Sequence, residues 1–218
     1  MNYELINRVL TSLVLLPVLI YSTYYSGFIF IIFLSLIYLL SFYEIIKNTK
    51  NLIFNLIVNF VLIFALSSFY YLRSDTDLSL VTIYWILSAT FLSDIGGYLF
   101  GKIFKGKKLT RISPNKTYSG AVGSITLSLT SLIIINLSQN FIFDEIIINF
   151  YQLKYFIITI FISIICQLGD LCVSACKRKI NIKNMSNILP GHGGVLDRID
   201  GLIFVLIFSF ALKKIGLI

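Results

Sequence analysis

Long apolar stretches separated by short charged segments run along almost the whole chain. Most are about 17 to 25 residues long, the length that a helix needs to cross a hydrocarbon core of about 30 Å. They predict seven membrane-spanning helices, near residues 9–23, 27–45, 52–71, 79–100, 119–137, 153–175 and 201–212. Because the last stretch is short and the apolar residues 141–150 are interrupted by two acids, about six to eight spans fit the pattern. We therefore predict an all-α, polytopic bundle in which residues 1–218 form a single integral membrane domain.

The first apolar stretch, from Val9 to Ile20, resembles the core of a signal peptide. Glu4 precedes it, however, and no pattern of small residues that would allow cleavage follows it. We therefore expect this stretch to stay in the protein as an uncleaved first span.

The composition agrees with a protein that is solvated by lipid. Hydrophobic residues make up 57% of the chain and charged residues 13%, with a mean hydropathy of +0.90, whereas about a quarter of the residues of soluble domains are charged. A net charge of +8 would suit nucleic-acid binding in a soluble protein. Here the basic residues lie in short loops between spans, so we expect no nucleic-acid partner. The three cysteines, Cys166, Cys172 and Cys176, lack Cys-x-x-Cys spacing and are interpreted as small packing residues.

Basic residues are concentrated in alternate loops, which indicates how the chain is oriented in the membrane. The loops of one side contain 14 of the 18 Lys and Arg, namely Arg8, Lys47, Lys50, Lys102, Lys105, Lys107, Lys108, Arg111, Lys116, Lys177, Arg178, Lys179, Lys183 and Arg198. The other side has only Arg73, Lys154, Lys213 and Lys214. Since loops rich in Lys and Arg stay in the cytoplasm, we expect the first set to face the cytoplasm.

Four of the ten acidic residues, Asp94, Asp170, Asp197 and Asp200, lie within or at the cytoplasmic ends of the fourth, sixth and seventh spans. A carboxylate at membrane depth costs about 2.5 to 3.5 kcal/mol, so it is usually retained only when it is paired, hydrated or functional. Any one of them is explained equally well as a helix cap, since acids are favoured at helix N-termini. Four acids at one membrane face favour a shared cation site.

A glycine-rich turn directly precedes Asp197. Its glycines, Gly191, Gly193 and Gly194, let the backbone approach a ligand closely. A turn of this kind that leads into a helix can point N–H groups at a phosphate, although tight turns between helices need glycine too. His192, the only histidine, is a candidate ligand, a candidate acid or base, or merely a turn residue. The candidate cations for phosphate oxygens around this turn are Lys177, Arg178, Lys183 and Arg198.

The polar segment after the fourth span has a similar composition. Ser93 and Asp94 stand near the end of the span, and the compact turn that follows contains Ser113, Lys116 and Thr117. One interpretation is structural, because two glycines four residues apart can pack helices closely and six basic residues can bind anionic headgroups. Helix packing and headgroup binding require neither Asp94 nor the compact turn that contains Ser113, Lys116 and Thr117. We therefore interpret the segment as a binding site for an anionic ligand at the membrane face.

These two polar segments resemble the phosphatidate cytidylyltransferase family, also called the CDP-diacylglycerol synthases. The C-terminal signature of that family is matched by Gln167, Gly169, Asp170, Ser174, Lys177, Arg178, Lys183, Pro190 to Gly194, Asp197, Arg198 and Asp200. Its upstream motif is matched by Ser93, Asp94, Tyr98, Lys108, Leu109, Ile112 to Pro114, Lys116, Thr117 and Gly120. The matches lie at about 90–124 and 167–201, which is roughly a third of the chain.

Three positions depart from the usual pattern of this family. Asn184 stands where Asp is usual, Ser119 where Glu is usual, and Val173 where an acid commonly precedes the serine. Each change removes one negative charge. Because all four aspartates described above are retained, we expect an active enzyme.

The resemblance implies transfer of the cytidylyl group of CTP to phosphatidate in the bilayer, which gives CDP-diacylglycerol and pyrophosphate. On this interpretation, Asp170, Asp197 and Asp200 are the expected ligands of Mg²⁺, alone or with a second cation. These three are the expected catalytic residues, together with Lys177, Arg178 and Arg198. The expected substrate-binding residues are Ser93, Asp94, Ser113, Lys116, Thr117, Lys183, Gly191, His192, Gly193 and Gly194. The resemblance is also compatible with a homodimer, and with it we expect a location in the inner membrane of a bacterium, with the active site facing the cytoplasm.

Two other kinds of protein have some of the same features. A cation-coupled transporter also carries intramembrane acids, but these would line the middle of the membrane, and no internal repeat is visible here. A cytidylyltransferase or kinase that acts on another lipid phosphate or alcohol has nearly the same requirements and stays open. A CDP-alcohol phosphatidyltransferase is excluded because its Asp-Gly-x-x-Ala-Arg motif is absent.

Overall fold

Helices account for nearly all the regular structure of the residues that the structure describes. The computed structural model describes residues 3–110, 113–142, 147–191 and 193–218. Within these ranges seven helices follow one another: α1 (Tyr3–Tyr25), α2 (Gly27–Asn48), α3 (Leu52–Leu72), α4 (Asp77–Phe104), α5 (Tyr118–Ile142), α6 (Leu153–Lys179) and α7 (Leu196–Lys214). The same ranges contain two isolated β-bridges and no strand. The predicted all-α bundle with seven helical segments is confirmed.

The helices differ in how well they suit a membrane. Five of them, α2 to α6, are long and apolar enough to cross one by length and composition. The first helix has a shorter apolar part, Leu10–Tyr25. The last helix carries five charged residues among 19, so its position in the membrane depends on its neighbours. Of the apolar piece at 141–150, residues 143–146 lie outside the described part of the chain.

At one end of the bundle, basic side chains form hydrogen bonds between the ends of neighbouring helices. The buried guanidinium of Arg73, where α3 ends, donates hydrogen bonds to the carbonyl oxygens of Thr23 at 2.5 Å and Tyr24 at 3.0 Å, at the end of α1. The ammonium of Lys213, in the last turn of α7, donates to the carbonyl oxygen of Leu72 at 3.2 Å. Arg73 and Lys213, which the charge pattern assigns to one side of the membrane, therefore lie at the same end.

The fourth helix is the centre of the bundle and packs against α3, α5, α6 and α7. Its Trp85 is fully buried, and the indole N–H donates to Oγ1 of Thr159 in α6 at 3.1 Å. The ring of Trp85 also lies 5.3 Å, between centroids, from the rings of Phe150 and Tyr155. This aromatic cluster fixes α4 against α6 far from the acidic residues discussed below.

Glycines allow α4 and α5 to pack very closely. A Cβ atom on Gly120 would lie 2.7 Å from the carbonyl oxygen of Gly97, and one on Gly97 would lie 2.7 Å from Oγ of Ser124. A Cβ atom on Gly101 would lie 3.7 Å from Cα of Gly120. The pair of glycines four residues apart in α4 therefore serves helix packing, which was one of the two interpretations of this segment.

We expect Gly120→Val to destabilise the bundle, because the added side chain would meet the carbonyl oxygen of Gly97. Overpacking of this kind costs about 1 to 3 kcal/mol. The temperature at which the detergent-solubilised protein loses its monodisperse chromatographic peak should fall by several degrees. Val122→Leu, at a 61% exposed position of the same helix, should leave that temperature unchanged. Equal temperatures for Gly120→Val and the wild type would contradict the proposed packing.

Candidate active site

The end of the bundle opposite Arg73 and Lys213 contains the polar segments identified in the sequence. It is formed by the C-terminal parts of α4 and α6, the first turns of α5 and α7, and the loops between them. The structure brings together acids from three helices, since Asp94, Asp170 and Asp200 are close enough to repel one another. We call these three residues and Asp197 the acidic centre.

A salt bridge joins the two polar segments. The ammonium of Lys116 lies 2.6 Å from Oδ2 of Asp170 and donates a hydrogen bond to the carbonyl oxygen of Gln167 at 3.2 Å. Oδ1 of Asp170 accepts a hydrogen bond from the hydroxyl of Ser174 at 3.3 Å. The side chains of Lys116 and Asp170 are 24% and 32% exposed, so a ligand can reach the pair.

A second set of ion pairs is more deeply buried. Nζ of Lys177 lies 2.9 Å from Oδ1 of Asp197 and 3.7 Å from Oδ2 of Asp200. The side chains of Lys177 and Asp197 are only 9% and 6% exposed. Oδ2 of Asp197 accepts hydrogen bonds from the N–H groups of Met185 at 2.9 Å and Gly194 at 3.0 Å. Asp197 thus uses both oxygens to hold Lys177 and the glycine-rich loop.

The remaining two carboxylates of the acidic centre have weaker partners. Oδ1 of Asp200 accepts from the N–H group of Gly201 at 2.9 Å. Oδ1 of Asp94 lies 3.5 Å from the thiol of Cys166, which is a weak donor. The charge of Asp94 is also attracted by Arg198. These carboxylates therefore keep unused capacity to accept a cation.

The donor atoms of the acidic centre suit a hard divalent cation. Carboxylate oxygens are the ligands that Mg²⁺ prefers, and a cation would relieve the repulsion among Asp94, Asp170 and Asp200. In the described part of the chain, no group of three or more His, Cys, Asp or Glu side chains is already arranged to hold a metal ion. The fit therefore rests on donor chemistry and charge. The ligand set of Asp170, Asp197 and Asp200 stays a prediction. Of these three, Asp197 already has the most partners within the protein, namely Lys177, Met185 and Gly194.

Contacts between the two ends of the segment that connects α4 and α5 position Lys116. Lys108 and Thr117 form an isolated β-bridge, and the N–H group of Leu109 donates to the carbonyl oxygen of Lys116 at 2.7 Å. The hydroxyl of Thr117 accepts from the N–H group of Gly120 at 3.1 Å and so caps the start of α5. In this structure Thr117 has a structural role, and its contact with a substrate stays a prediction.

Two further predicted substrate residues have contacts within the protein. The hydroxyl of Ser93 is buried and shares a hydrogen bond with that of Ser163 at 2.8 Å, where α4 meets α6. The N–H group of Ser113 donates to Oγ1 of Thr110 at 3.2 Å. Residues 111–112 lie outside the described part of the chain. Binding of a substrate by Ser93 and Ser113 stays a prediction.

The turn before α7 requires glycine at two positions. The φ angles of Gly191 and Gly193 are 74° and 90°, in the left-handed region that side chains disfavour. Leu189 and Gly193 exchange two backbone hydrogen bonds, of 2.9 and 3.1 Å, which close the turn. His192 lies outside the described residues, so its alternative roles stay open.

A buried acid that the sequence analysis did not identify lies at the N-terminus of α7. Glu44 of α2 is fully buried, and its carboxylate accepts from the N–H groups of Val195 at 2.8 Å and Leu196 at 2.9 Å and from the hydroxyl of Ser186 at 2.5 Å. A Cβ atom on Gly194 would lie 2.7 Å from Oε1 of Glu44. The available signal was a lone acid near the cytoplasmic end of an otherwise apolar span.

The backbone groups that were expected to surround a phosphate are bonded to the protein itself. The N–H group of Gly194 donates to Asp197, and those of Val195 and Leu196 donate to Glu44. In this structure two carboxylates therefore hold the glycine-rich turn at the start of α7. Contact between the glycines and a substrate stays a prediction.

The other predicted cations lie on the surface of the same end. Lys183 and Arg198 are exposed. Arg178 is exposed too, and its guanidinium donates to the carbonyl oxygen of Ile182 at 2.8 Å. These side chains are accessible to a soluble anion, and their catalytic or binding roles stay predictions.

The three positions that lack the usual acids have different surroundings. The hydroxyl of Ser119, in the first turn of α5, donates to the carbonyl oxygen of Lys105. Asn184 is exposed beside the glycine-rich turn. Val173 lines an apolar cavity. The three changes therefore act at separate places, so they do not remove charge from a single cluster.

Bacterial proteins have sequences similar to most of this chain. The phosphatidate cytidylyltransferase of Rickettsia conorii is 32% identical over 212 residues, which cover 94% of this chain and 90% of the relative. The phosphatidate cytidylyltransferase of Bacillus subtilis is 33% identical over 182 residues, or 82% of this chain and 65% of the relative. That of Staphylococcus haemolyticus is 40% identical over 139 residues, or 63% and 50%. The chain thus spans nearly all of the rickettsial relative and half to two thirds of the others.

A sequence model of a whole protein family also matches most of the chain. The sequence model of the Cytidylyltransferase family matches residues 47–215. The matched segment includes α3 to α7, the whole acidic centre, and the two lysines that form ion pairs with it. Because this match covers most of the chain, the chain belongs to the cytidylyltransferase family.

Proposed function

We propose that this chain is a phosphatidate cytidylyltransferase, which transfers the cytidylyl group of CTP to phosphatidate and releases pyrophosphate. Membership of the family and the names of the three relatives support this activity. The structural observation that supports it most is the 2.6 Å salt bridge between Lys116 and Asp170, because it joins the two segments that carry the family motifs. A bundle of apolar helices also suits a substrate whose acyl chains stay in the bilayer.

The phosphate of phosphatidate is itself an anionic nucleophile. One of its oxygens forms a bond to the α-phosphorus of CTP, while the bond between that phosphorus and the oxygen of the β-phosphate breaks. Pyrophosphate leaves with the electron pair of the broken bond. Since the attacking oxygen is already ionised, no strong general base is needed, and the main barrier is bringing two polyanions together in line.

Lysine side chains are the nearest groups that can offset this charge. Lys116 and Lys177 each lie against a carboxylate of the acidic centre, at 2.6 and 2.9 Å, so a phosphate that approaches either pair meets an ammonium. Arg198 can bind two phosphate oxygens at once because its guanidinium is planar. The exposed Arg178 and Lys183 extend the positive surface toward soluble CTP.

The cofactor we propose is Mg²⁺. Asp170 and Asp200 would hold it, with Asp94 or Asp197 completing the carboxylate set. When bound, the cation would act as a Lewis acid on phosphate oxygens of CTP. The principal role we give Asp197 is to hold Lys177 and the glycine-rich loop, since both of its oxygens have partners there.

The reaction is proposed to take place at the cytoplasmic face of a bacterial inner membrane. Most Lys and Arg of the chain belong to the loops at the end that carries the acidic centre, which supports a cytoplasmic orientation. CTP is soluble, so this orientation also gives it access. The bacterial origin of the relatives supports the choice of membrane. The homodimer stays a prediction.

We expect the purified protein to form lipid-linked CMP from labelled CTP and phosphatidate only when Mg²⁺ is present, because the cation offsets the charge of both substrates. EDTA should abolish product formation, and excess Mg²⁺ should restore it. ATP in place of CTP, and polyprenyl phosphate in place of phosphatidate, should give little product. Turnover in EDTA equal to turnover in Mg²⁺ would overturn the metal proposal. Faster turnover with polyprenyl phosphate than with phosphatidate would overturn the choice of lipid.

Asp200→Asn should lower kcat about 100-fold, because a charge that stabilises the bound cation is lost. It should also raise the Mg²⁺ concentration needed for half-maximal activity. Asp75→Asn, at an exposed position near the opposite end of the bundle, is the control and should match the wild type. Wild-type turnover and Mg²⁺ dependence in Asp200→Asn would show that this carboxylate does not serve the metal.

Glu44 is a positioning residue, because it fixes the start of the helix that carries Asp197 and Asp200. Glu44→Ala removes the acceptor of the N–H groups of Val195 and Leu196, and each unsatisfied group costs about 1 to 3 kcal/mol. We expect a lower unfolding temperature and a lower kcat. Glu44→Gln keeps one acceptor oxygen and should recover a large part of both. An unchanged kcat and unfolding temperature in Glu44→Ala would contradict this role.

A further inference from the structure

An apolar groove lies beside the acidic centre, between α3, α6 and α7. Its walls include Val58 and Val61 of α3, Cys176 of α6, Ile180 just after α6, and Phe204 of α7. Its volume is about 150 Å³. Because nearly all of the lining is apolar, water would find few hydrogen-bond partners there, which favours an apolar occupant.

The groove is open on the side of the bundle that faces lipid. Ile57, on its rim, is 60% exposed, and Cys172 is exposed as well. At its inner end the lining residues Met185 and Leu196 are only 5% and 3% exposed. A molecule that fills the groove therefore comes from the bilayer and ends against the base of the glycine-rich loop.

Lys177 connects the groove to the acidic centre. Its side chain is part of the groove lining, and its ammonium lies 2.9 Å from Asp197 and 3.7 Å from Asp200. Lysine often places its aliphatic stem along an apolar wall while its charged end reaches polar surroundings. The apolar groove and the ammonium are therefore no further apart than the length of the Lys177 side chain. This arrangement fits an amphiphile with a hydrocarbon chain and a compact anionic head.

We propose that the groove holds the part of one acyl chain of phosphatidate that is nearest the headgroup, while the rest of the chain stays in the bilayer and the phosphate of the same molecule lies at the ammonium of Lys177. The proposal rests on the proposed function, since it concerns the lipid substrate of that reaction. A chain that leaves the bilayer for the groove exchanges one apolar environment for another, so the hydrophobic effect adds little affinity. What the groove supplies is orientation, because the seated chain restricts where the phosphate can lie.

A tryptophan inside the groove tests this role by steady-state kinetics. We expect Val58→Trp to raise the apparent KM for dioleoylphosphatidate about tenfold and to leave the KM for CTP unchanged, because only the lipid chain is displaced. The matched control is Leu56→Trp, which lies on the same helix at a 61% exposed position outside the groove lining. It should keep both constants. An equal KM for the lipid in the wild type and in Val58→Trp would overturn the proposal.

Thiol modification gives a second measurement that does not depend on activity. In a Cys172→Ser protein, Cys176 is the thiol of the groove lining, and Cys166 is fully buried. Dioleoylphosphatidate added to the micelles should slow the reaction of Cys176 with a maleimide at least fivefold, whereas dioleoylphosphatidylcholine should not. This assay contains no CTP, so it is independent of the turnover assay with labelled CTP and phosphatidate. Protection of Cys176 in a protein that shows no turnover would support the groove and contradict the proposed function. Turnover in a protein that shows no protection of Cys176 would support the proposed function and contradict the groove.

Other occupants would give different results in the same assay. Equal protection by both lipids would mean that the groove takes any surrounding lipid, which overturns the proposal. Protection that increases with protein concentration and without added lipid would assign the groove to a second copy of this chain. That outcome would also overturn the proposal.

Discussion

The buried ammonium of Lys177 balances two carboxylates, Asp197 and Asp200, that the first turns of α7 bring into an apolar bundle. An unpaired charge in such surroundings is very unfavourable, and removing one partner of a buried pair typically costs about 3 to 5 kcal/mol. Asp197 in turn orders the glycine-rich loop through two backbone N–H groups. The packing of α6 against α7 and the shape of the loop therefore depend on one arrangement of charges.

The start of α7 shows how the chain satisfies a helix N-terminus without a ligand. Glycine-rich turns at such ends often bind phosphate through free N–H groups. Here the carboxylate of Glu44, from a helix distant in sequence, already accepts two of those groups. The N–H groups of Val195 and Leu196 therefore already have acceptors within the protein.

Much of this fold could be predicted because hydrophobic length and charge are local properties of a sequence. They give the seven helical segments and the end at which four aspartates gather. The partners of each side chain depend on which helices meet, and a single sequence does not contain that information. Ser93, interpreted as a substrate residue, has its hydroxyl buried against Ser163, and Glu44 was missed because its partners lie about 150 residues away. The motif resemblance identified the two polar segments that lie together in the structure. It did not indicate that one oxygen of Asp197 accepts from Lys177 and the other from backbone N–H groups.

The length of the uncharged part of α7 has a consequence for the membrane around it. Between the last acidic residue of the first turns and the two lysines of the last turn lie only residues 201–212, which rise about 18 Å at 1.5 Å per residue. A hydrocarbon core of about 30 Å is much thicker. The charges at the two ends of α7 cannot both reach the surfaces of an undisturbed bilayer, so the acidic centre is sunk below the level of the headgroups or the bilayer is thinned beside it. A water-filled depression in the first case, or the thinner bilayer in the second, would bring a soluble substrate to the level of the acidic centre.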